Sequence, residues 1–293
     1  MKKGIIAGVA LLSTLSMAAL GAFTSNGVPA AHAAQVHQTA KHTAAQLKLQ
    51  HIYLTIMPAS HLGPDKIMHD SFSPADFTVV QGVPVQVTVY NYDGGTHSFT
   101  SSALGLNVDF AGSKKTGVPS VKSFTFTPSK TGSFTWECVL QCDGQAKGWA
   151  MSHDGYMMGK VNVVPNNHHE QFVTLTIQGG LDFGPVKKTK HGTSTMHDAF
   201  SPASFTVTPG IPVHLTVYNW DTGEHSITSS ALGLNLMMQG ADKTGDFKAN
   251  NFVFTVPKAG KYKWQCEVKC DGGMTSYSMT HVGYMEGYIN ATN

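Results

Sequence analysis

The sequence predicts an all-β protein of two tandem domains behind an export signal. Three observations carry this reading. The chain repeats itself at one fixed offset, apolar and polar positions alternate in short runs within both copies, and no stretch keeps a 3.6-residue apolar period.

The repeat organises everything else. Met68-His69-Asp70-Ser71-Phe72-Ser73-Pro74 returns as Met196-His197-Asp198-Ala199-Phe200-Ser201-Pro202, with His69 and His197 128 residues apart. The same offset relates His97-Ser98 to His225-Ser226, Cys138 and Cys142 to Cys266 and Cys270, His153 to His281, and Met157 to Met285, without a gap. One structural unit is therefore written twice. Domain 1 is expected at 47–165 and domain 2 at 171–293, joined by a short polar linker at 166–170. A segment at 34–46, rich in Gln, His, Ala and Thr, is expected to be a flexible tail.

Within each copy, Val85, Val87 and Val89 share one strand face, as do Val213, Leu215 and Val217. Phe124-Thr125-Phe126, Phe134-Thr135-Trp136 and Val161-Asn162-Val163 read as further strands, with counterparts near Phe252, Trp264 and Ile289. Gly, Pro, Asp and Asn separate them, so each copy reads as an antiparallel sandwich or barrel of about seven or eight strands. The ungapped offset further implies that the two copies behave alike and that either can fold by itself.

Met1-Lys2-Lys3 followed by the apolar run from Gly4 to Phe23, then Ala31-His32-Ala33, has the form of a signal peptide over residues 1–33. A secreted or extracytoplasmic protein is expected. The competing reading is a retained anchor, since about 20 apolar residues can span a bilayer. No later segment is long and apolar enough, so no membrane span is expected once the signal is removed. Charged residues make up 13%, all basic residues are Lys, and the formal net charge is only +2. Without a basic stripe, nucleic acid is not an expected partner. The 15 His would add positive charge in acid.

Chemistry gathers at the predicted strand ends. His97, Cys138, His153 and Met157 in copy one, and His225, Cys266, His281 and Met285 in copy two, supply imidazole, thiolate and thioether. These donors suit copper, and a His2Cys set with a long axial Met serves electron transfer.

At these residues a resemblance emerges. Phe134 to Cys138, then His153, then Tyr156-Met157-Met158-Gly159-Lys160-Val161 resembles the C-terminal ligand loop of cupredoxins, and Gly95-Thr96-His97-Ser98-Phe99 with Ala103 to Asp109 is similar to the first-His region of the soluble domain of cytochrome oxidase subunit II. The resemblance implies two tandem cupredoxin-like Greek-key β-barrels after an N-terminal signal peptide, and electron transfer through copper.

Cys138-Val139-Leu140-Gln141-Cys142 and Cys266-Glu267-Val268-Lys269-Cys270 have the Cys-x3-Cys spacing of the dinuclear copper A centre in that family. There both thiolates bridge two coppers and a backbone carbonyl between them, here at Leu140 and Val268, adds a ligand. This chain departs from the pattern, with ten residues between Cys142 and His153 and three between His153 and Met157. One or two copper ions per domain are thus expected. Three alternatives stay open: a dinuclear site using Cys142 and Cys270, a mononuclear site with the second Cys a buried thiol, and metal-free disulfides Cys138–Cys142 and Cys266–Cys270.

The remaining repeated residues have plainer readings. His69 and His197 are read as structural hydrogen-bonding groups or partners of the ligands rather than ligands. Trp136 and Trp264 should pack beneath the site, Asp143 and Asp271 should hold loop turns, and Met151 and Met279 should fill core space. No His-x-His pair occurs in the strands or ligand loops and no Cys has a neighbouring His, so a catalytic copper cluster, and with it an enzyme, is not expected. Electron carriage is the favoured function, which implies a redox partner protein that the sequence does not identify. The competing function is copper holding or delivery, with the His-rich start as a recruiting segment.

Overall fold

The computed structural model describes residues 46–143, 148–166, 170–183, 196–271, 273–274 and 276–293. The expected signal peptide at 1–33, the tail up to 45 and linker residues 167–169 lie outside the described residues.

The first half runs through β1 (Gln50–Leu62), β2 (Met68–Ser73), β3 (Phe77–Val80), β4 (Val85–Asn91), β5 (His97–Ser101), β6 (Leu106–Phe110), β7 (Ser120–Phe126), β8 (Gly132–Glu137) and β9 (Met158–Val164). They form two sheets, ordered β2-β1-β4-β7 and β3-β9-β8-β5-β6. The second half repeats the arrangement with β10 (Gln171–Phe183), β11 (Met196–Ser201), β12 (Phe205–Val207), β13 (Val213–Asn219), β14 (His225–Ser229), β15 (Leu234–Met238), β16 (Lys248–Phe254), β17 (Gly260–Gln265) and β18 (Glu286–Ala291). Its sheets are β11-β10-β13-β16 and β12-β18-β17-β14-β15. Registers repeat too: His97 lies opposite Phe110 and His225 opposite Met238. No described helix is long and apolar enough to cross a membrane.

Two features differ from the expectation of seven or eight antiparallel strands. Each half has nine described strands, and β1 runs parallel to β4, as β3 does to β9. The reason lies in the crossing at Pro74-Ala75-Asp76, where the chain leaves β2 in one sheet and enters β3 in the other. Alternation marks a segment as a strand without saying which neighbour it takes.

The core follows the predicted faces. Val85, Val87, Val89, Val213 and Val217 are wholly buried and Leu215 almost so; each such side chain contributes about 1.5–3 kcal/mol relative to exposure. Trp136 and Trp264 are buried under the cysteine loops, and their indole N–H groups donate to the carbonyls of Ala75 and Ala203 at 2.8 and 2.9 Å. Gly159 and Gly287 make room for those carbonyls, since a methyl group at either position would collide with them.

The two halves meet along β1 and β10. Thr174 Oγ1 donates to the Tyr53 carbonyl at 2.7 Å, Thr176 Oγ1 to the Ser73 carbonyl at 3.0 Å, and Thr55 Oγ1 to Ser201 Oγ at 3.1 Å. Tyr53 belongs to the apolar core of the second half, and its hydroxyl oxygen accepts the Thr206 N–H. Thr55 and Thr176 are wholly buried in this contact. The halves therefore share core surface, and separating them would expose Tyr53 and the apolar groups it covers to water.

Candidate metal centres

His97 opens β5, Cys138 follows the last residue of β8, and Met157 directly precedes β9, so the donors collect at strand ends. Ligand atoms of His97, Cys138 and Cys142 all lie within 4.8 Å of one another, as do those of His225, Cys266 and Cys270, and all six residues are buried. Met157 and Met285 are fully buried, and their carbonyls accept the N–H groups of Cys138 and Cys266 at 2.8 Å.

Ser98 and Ser226 place the first cysteine of each pair. Their backbone N–H groups donate to the Cys138 and Cys266 sulfurs at 3.3 Å, and their hydroxyls accept N–H groups from Val139 and Glu267. The Leu140 carbonyl oxygen lies 3.7 Å from Cys138 Sγ and 3.1 Å from Cys142 Sγ; Val268 stands likewise 3.7 and 3.3 Å from Cys266 and Cys270. Each loop thus turns one carbonyl toward both sulfurs.

The cysteine pairs differ in bonding. Cys138 and Cys142 are joined as a disulfide, whereas Cys266 and Cys270 are free thiols with their sulfurs 2.9 Å apart. The Cα atoms of Cys138 and Cys142 are 7.2 Å apart, beyond the usual disulfide range of about 4.4–6.8 Å. The loop backbone is therefore set wider than a dedicated staple requires.

Asp93 and Asp221 are residues that the sequence reading missed. Their carboxylates take the Nε2–H of His97 and His225 at 2.7 and 2.9 Å, which leaves Nδ1 free to point elsewhere. His225 Nδ1 lies 3.1 Å from Cys270 Sγ, and His97 Nδ1 is buried without a hydrogen-bond partner among the described residues. The signal is an Asp-x3-His spacing present in both copies, which carries no sulfur or imidazole donor beyond the His itself.

Electrostatics agree with this geometry. The hydrogen bonds from His97 and His225 hold the Asp93 and Asp221 carboxyls below their usual range. Burial, then repulsion from those same carboxylates, raises Asp70 and Asp198. Burial alone would lower His225, but Asp221 and the Cys266 sulfur outweigh it and lift the imidazole to about 9. Within the free pair, the Cys270 thiol donates to Cys266 and lowers it to about 4, while Cys270 itself is raised.

His69 and His197 are anchors for the cysteine loops, as read from sequence. His69 Nδ1 donates to Asp143 Oδ2 at 2.9 Å and His197 Nδ1 to Asp271 Oδ2 at 2.6 Å. Asp143 and Asp271, next to the second cysteines, adopt positive φ values of 62° and 50°, a conformation that short polar side chains tolerate.

His153 and His281 are not brought into the His–Cys–Cys groups. Their Nδ1 atoms sit 2.7 and 2.8 Å from the carbonyl oxygens of Trp149 and Tyr277, and their rings stack on those two aromatics. Met151 is partly buried against the core and Met279 is within it, as expected of packing groups. A cleft of about 540 Å³ lined by Met68, Asp70, Asp93, His97 and Cys142 opens beside the first group.

The residues present fit copper once the Cys138–Cys142 bond is reduced: each half then offers two thiols and an oriented imidazole nitrogen, with a buried methionine whose carbonyl binds the first cysteine's N–H, and these are the soft and borderline donors that copper takes.

No family model matches the chain and no curated protein matches it. Solved structures do. A blue copper oxidase from Nitrosomonas europaea is 13% identical, with a TM-score of 0.30 over 83% of this chain and 86% of that one. A copper-containing nitrite reductase from Thermus scotoductus SA-01 is 15% identical with a TM-score of 0.31; the match covers 83% of this chain but only 62% of that one. A copper nitrite reductase from Nitrosomonas europaea is 16% identical, with a TM-score of 0.30 over 84% of this chain and 95% of that one. These comparisons correct the expectation that the chain is not an enzyme, because the solved chains it matches are themselves described as oxidases and reductases. At such identities and TM-scores the likeness assigns no activity to this chain. What sequence repeat and strand order agree on is an all-β fold in two halves, each holding a His–Cys–Cys group that could bind a metal ion.

Proposed function

We propose that this chain is an exported copper-binding electron-transfer protein with one site per domain, over 47–165 and 171–293, and that each site is dinuclear and similar to copper A. The observation that carries the reading is the duplicated cluster in which one imidazole, two sulfurs and the Leu140 or Val268 carbonyl converge. Bound copper would supply reversible one-electron exchange. His97, Cys138 and Cys142 would hold it in the first site once a two-electron reduction opens the Cys138–Cys142 bond, and His225, Cys266 and Cys270 in the second, with Met157 and Met285 as further donors; His153 and His281 would join only by turning away from Trp149 and Tyr277. Asp93 and Asp221 fix the tautomer of their His so that Nδ1 faces the sulfurs. A redox partner protein would deliver or remove the electron.

The test is the double variant Cys142→Ser, Cys270→Ser in the copper-loaded chain, read by copper per chain, absorption and electron spin resonance. A dinuclear site loses its shared-electron spectrum and part of its copper. An unchanged copper spectrum would show a mononuclear site on Cys138 and Cys266, and no copper before or after substitution would leave only the disulfide reading. Copper holding is a second reading, favoured by the cleft that reaches His97 and Cys142. Rapid loss of copper from the first site to a chelator, with slow loss from the second, would support it.

A further inference from the structure

We propose that an aromatic bridge across the domain interface, Tyr156–His61–Trp220, connects the two candidate copper sites electronically, so that the protein works as a two-centre relay. The proposal rests on the copper reading above and adds communication between the halves.

The bridge is built from adjacent groups. The His61 ring, on β1, stacks on Tyr156 with centroids 4.1 Å apart and planes 19° from parallel. The same ring meets Trp220 of the second half edge-on at 5.1 Å. His61 Nδ1 lies 3.2 Å from the Gly155 carbonyl oxygen, and Trp220 Nε1 donates to Ser73 Oγ at 2.7 Å, so both rings are tethered to the first half. Burial lowers the His61 pKa from its ordinary value, which keeps the stacked imidazole neutral at neutral pH.

Each end of the bridge adjoins a residue that hydrogen-bonds a proposed ligand. Tyr156 precedes Met157, whose carbonyl accepts the Cys138 N–H at 2.8 Å. Trp220 precedes Asp221, whose carboxylate binds His225 Nε2 at 2.9 Å. A branch on the first side runs from Tyr156 to Trp149 at 5.0 Å and on to His153 at 3.5 Å. Electron tunnelling weakens most across empty gaps and least along covalent bonds, hydrogen bonds and packed rings, so this sequence of contacts is a favoured route. In the exchange one electron leaves the reduced centre and one enters the oxidised centre, with no bond formed or broken and no proton moved. The repeat sharpens the point: the residue 128 positions before Trp220 is Tyr92, so the second half did not simply duplicate an indole needed by the fold.

The test uses the full copper-loaded chain with Met285→Leu, which offsets the potentials of the two halves. After rapid one-electron reduction by a radiolytic radical, a first-order phase independent of protein concentration should report redistribution between them. Trp220→Leu or Tyr156→Leu in that background should slow the phase by an order of magnitude or more, with copper per chain and both absorption bands unchanged. Trp220→Phe and Tyr156→Phe, which keep a ring, should retain most of the rate. Phe172→Leu removes a second-half ring that packs on His214 and on none of the three bridge residues, and should leave the phase unaltered. Equal rates in the Leu variants, equal slowing by Phe172→Leu, or no first-order phase in a chain carrying copper in both halves would overturn the bridge while leaving the copper reading intact. A chain that takes up no copper would overturn both.

Discussion

Asp143→Asn isolates the anchor beneath the first cysteine loop. Asp143 Oδ2 accepts from His69 Nδ1 and from the Ala150 N–H, both at 2.9 Å, and Oδ1 accepts the Asp70 N–H at 3.2 Å. His69 is wholly buried and Asp143 nearly so. Asn tolerates the positive φ found here, so backbone conformation is not what the substitution disturbs. It replaces one acceptor oxygen with an NH2 group that faces an N–H donor, and it removes the charge that strengthens the His69 bond. Losing one buried charge-assisted hydrogen bond costs about 1.5–3 kcal/mol. For a chain of this size that is a fall in Tm of roughly 3–12 °C, at about 2–4 °C per kcal/mol. Thermal and urea unfolding of the metal-free chain would measure it, and copper uptake would show whether Cys142 keeps its place. A double-mutant cycle with His69→Gln should return a coupling of more than about 1 kcal/mol. Additive single effects, or an unmoved melting midpoint, would refute the claim that this pair holds the loop.

Other outcomes follow from the same contacts. Burial would lower the His69 pKa, but Asp143 and Asp65 outweigh it and raise it above 6.5. The stabilisation from its protonated form is therefore complete below that value and lost as pH rises through the raised folded pKa. Urea midpoints of the metal-free chain should fall as pH increases above neutrality, and less so in Asp143→Asn. Gly159→Ala places a methyl against the Ala75 carbonyl, which also accepts the Trp136 N–H, so a loss of about 1–3 kcal/mol is expected in denaturant titration. Tyr53→Phe removes the acceptor of the Thr206 N–H at the interface and should cost about 1–3 kcal/mol. Residues 47–165 expressed alone should melt well below the full chain, since Tyr53 and Thr55 lose their partners on the second half; an equal melting temperature would show that the interface contributes nothing.

Much of this fold was legible because burial and period are local properties. Val85, Val87 and Val89 repeat every second position, and a half-buried strand needs nothing more to be recognised. Partner choice is not local. The parallel pairing of β1 with β4 depends on where the chain returns after β2 and β3 change sheets, and no residue in β1 announces that. The interface was hidden for a related reason: nothing local to Thr55, Ser73, Thr174 and Thr176 marks them as buried until the second half is laid against the first.

The candidate sites divide along the same line. His97, Cys138 and Cys142 were legible as donors because they recur with unusual chemistry, and the fold brings them together because His97 opens β5 and the Cys loop leaves β8 on the neighbouring strand. His153 recurs as faithfully, yet its ring stacks on Trp149 outside the group, since spacing fixes where a side chain is attached and not which rotamer its neighbours favour. Asp93 shows the converse. A carboxylate is a poor copper donor, so donor chemistry gave no reason to select it, but an imidazole that must present Nδ1 needs an acceptor on Nε2. The Asp-x3-His spacing meets that need in both halves, with Asp93 on His97 and Asp221 on His225.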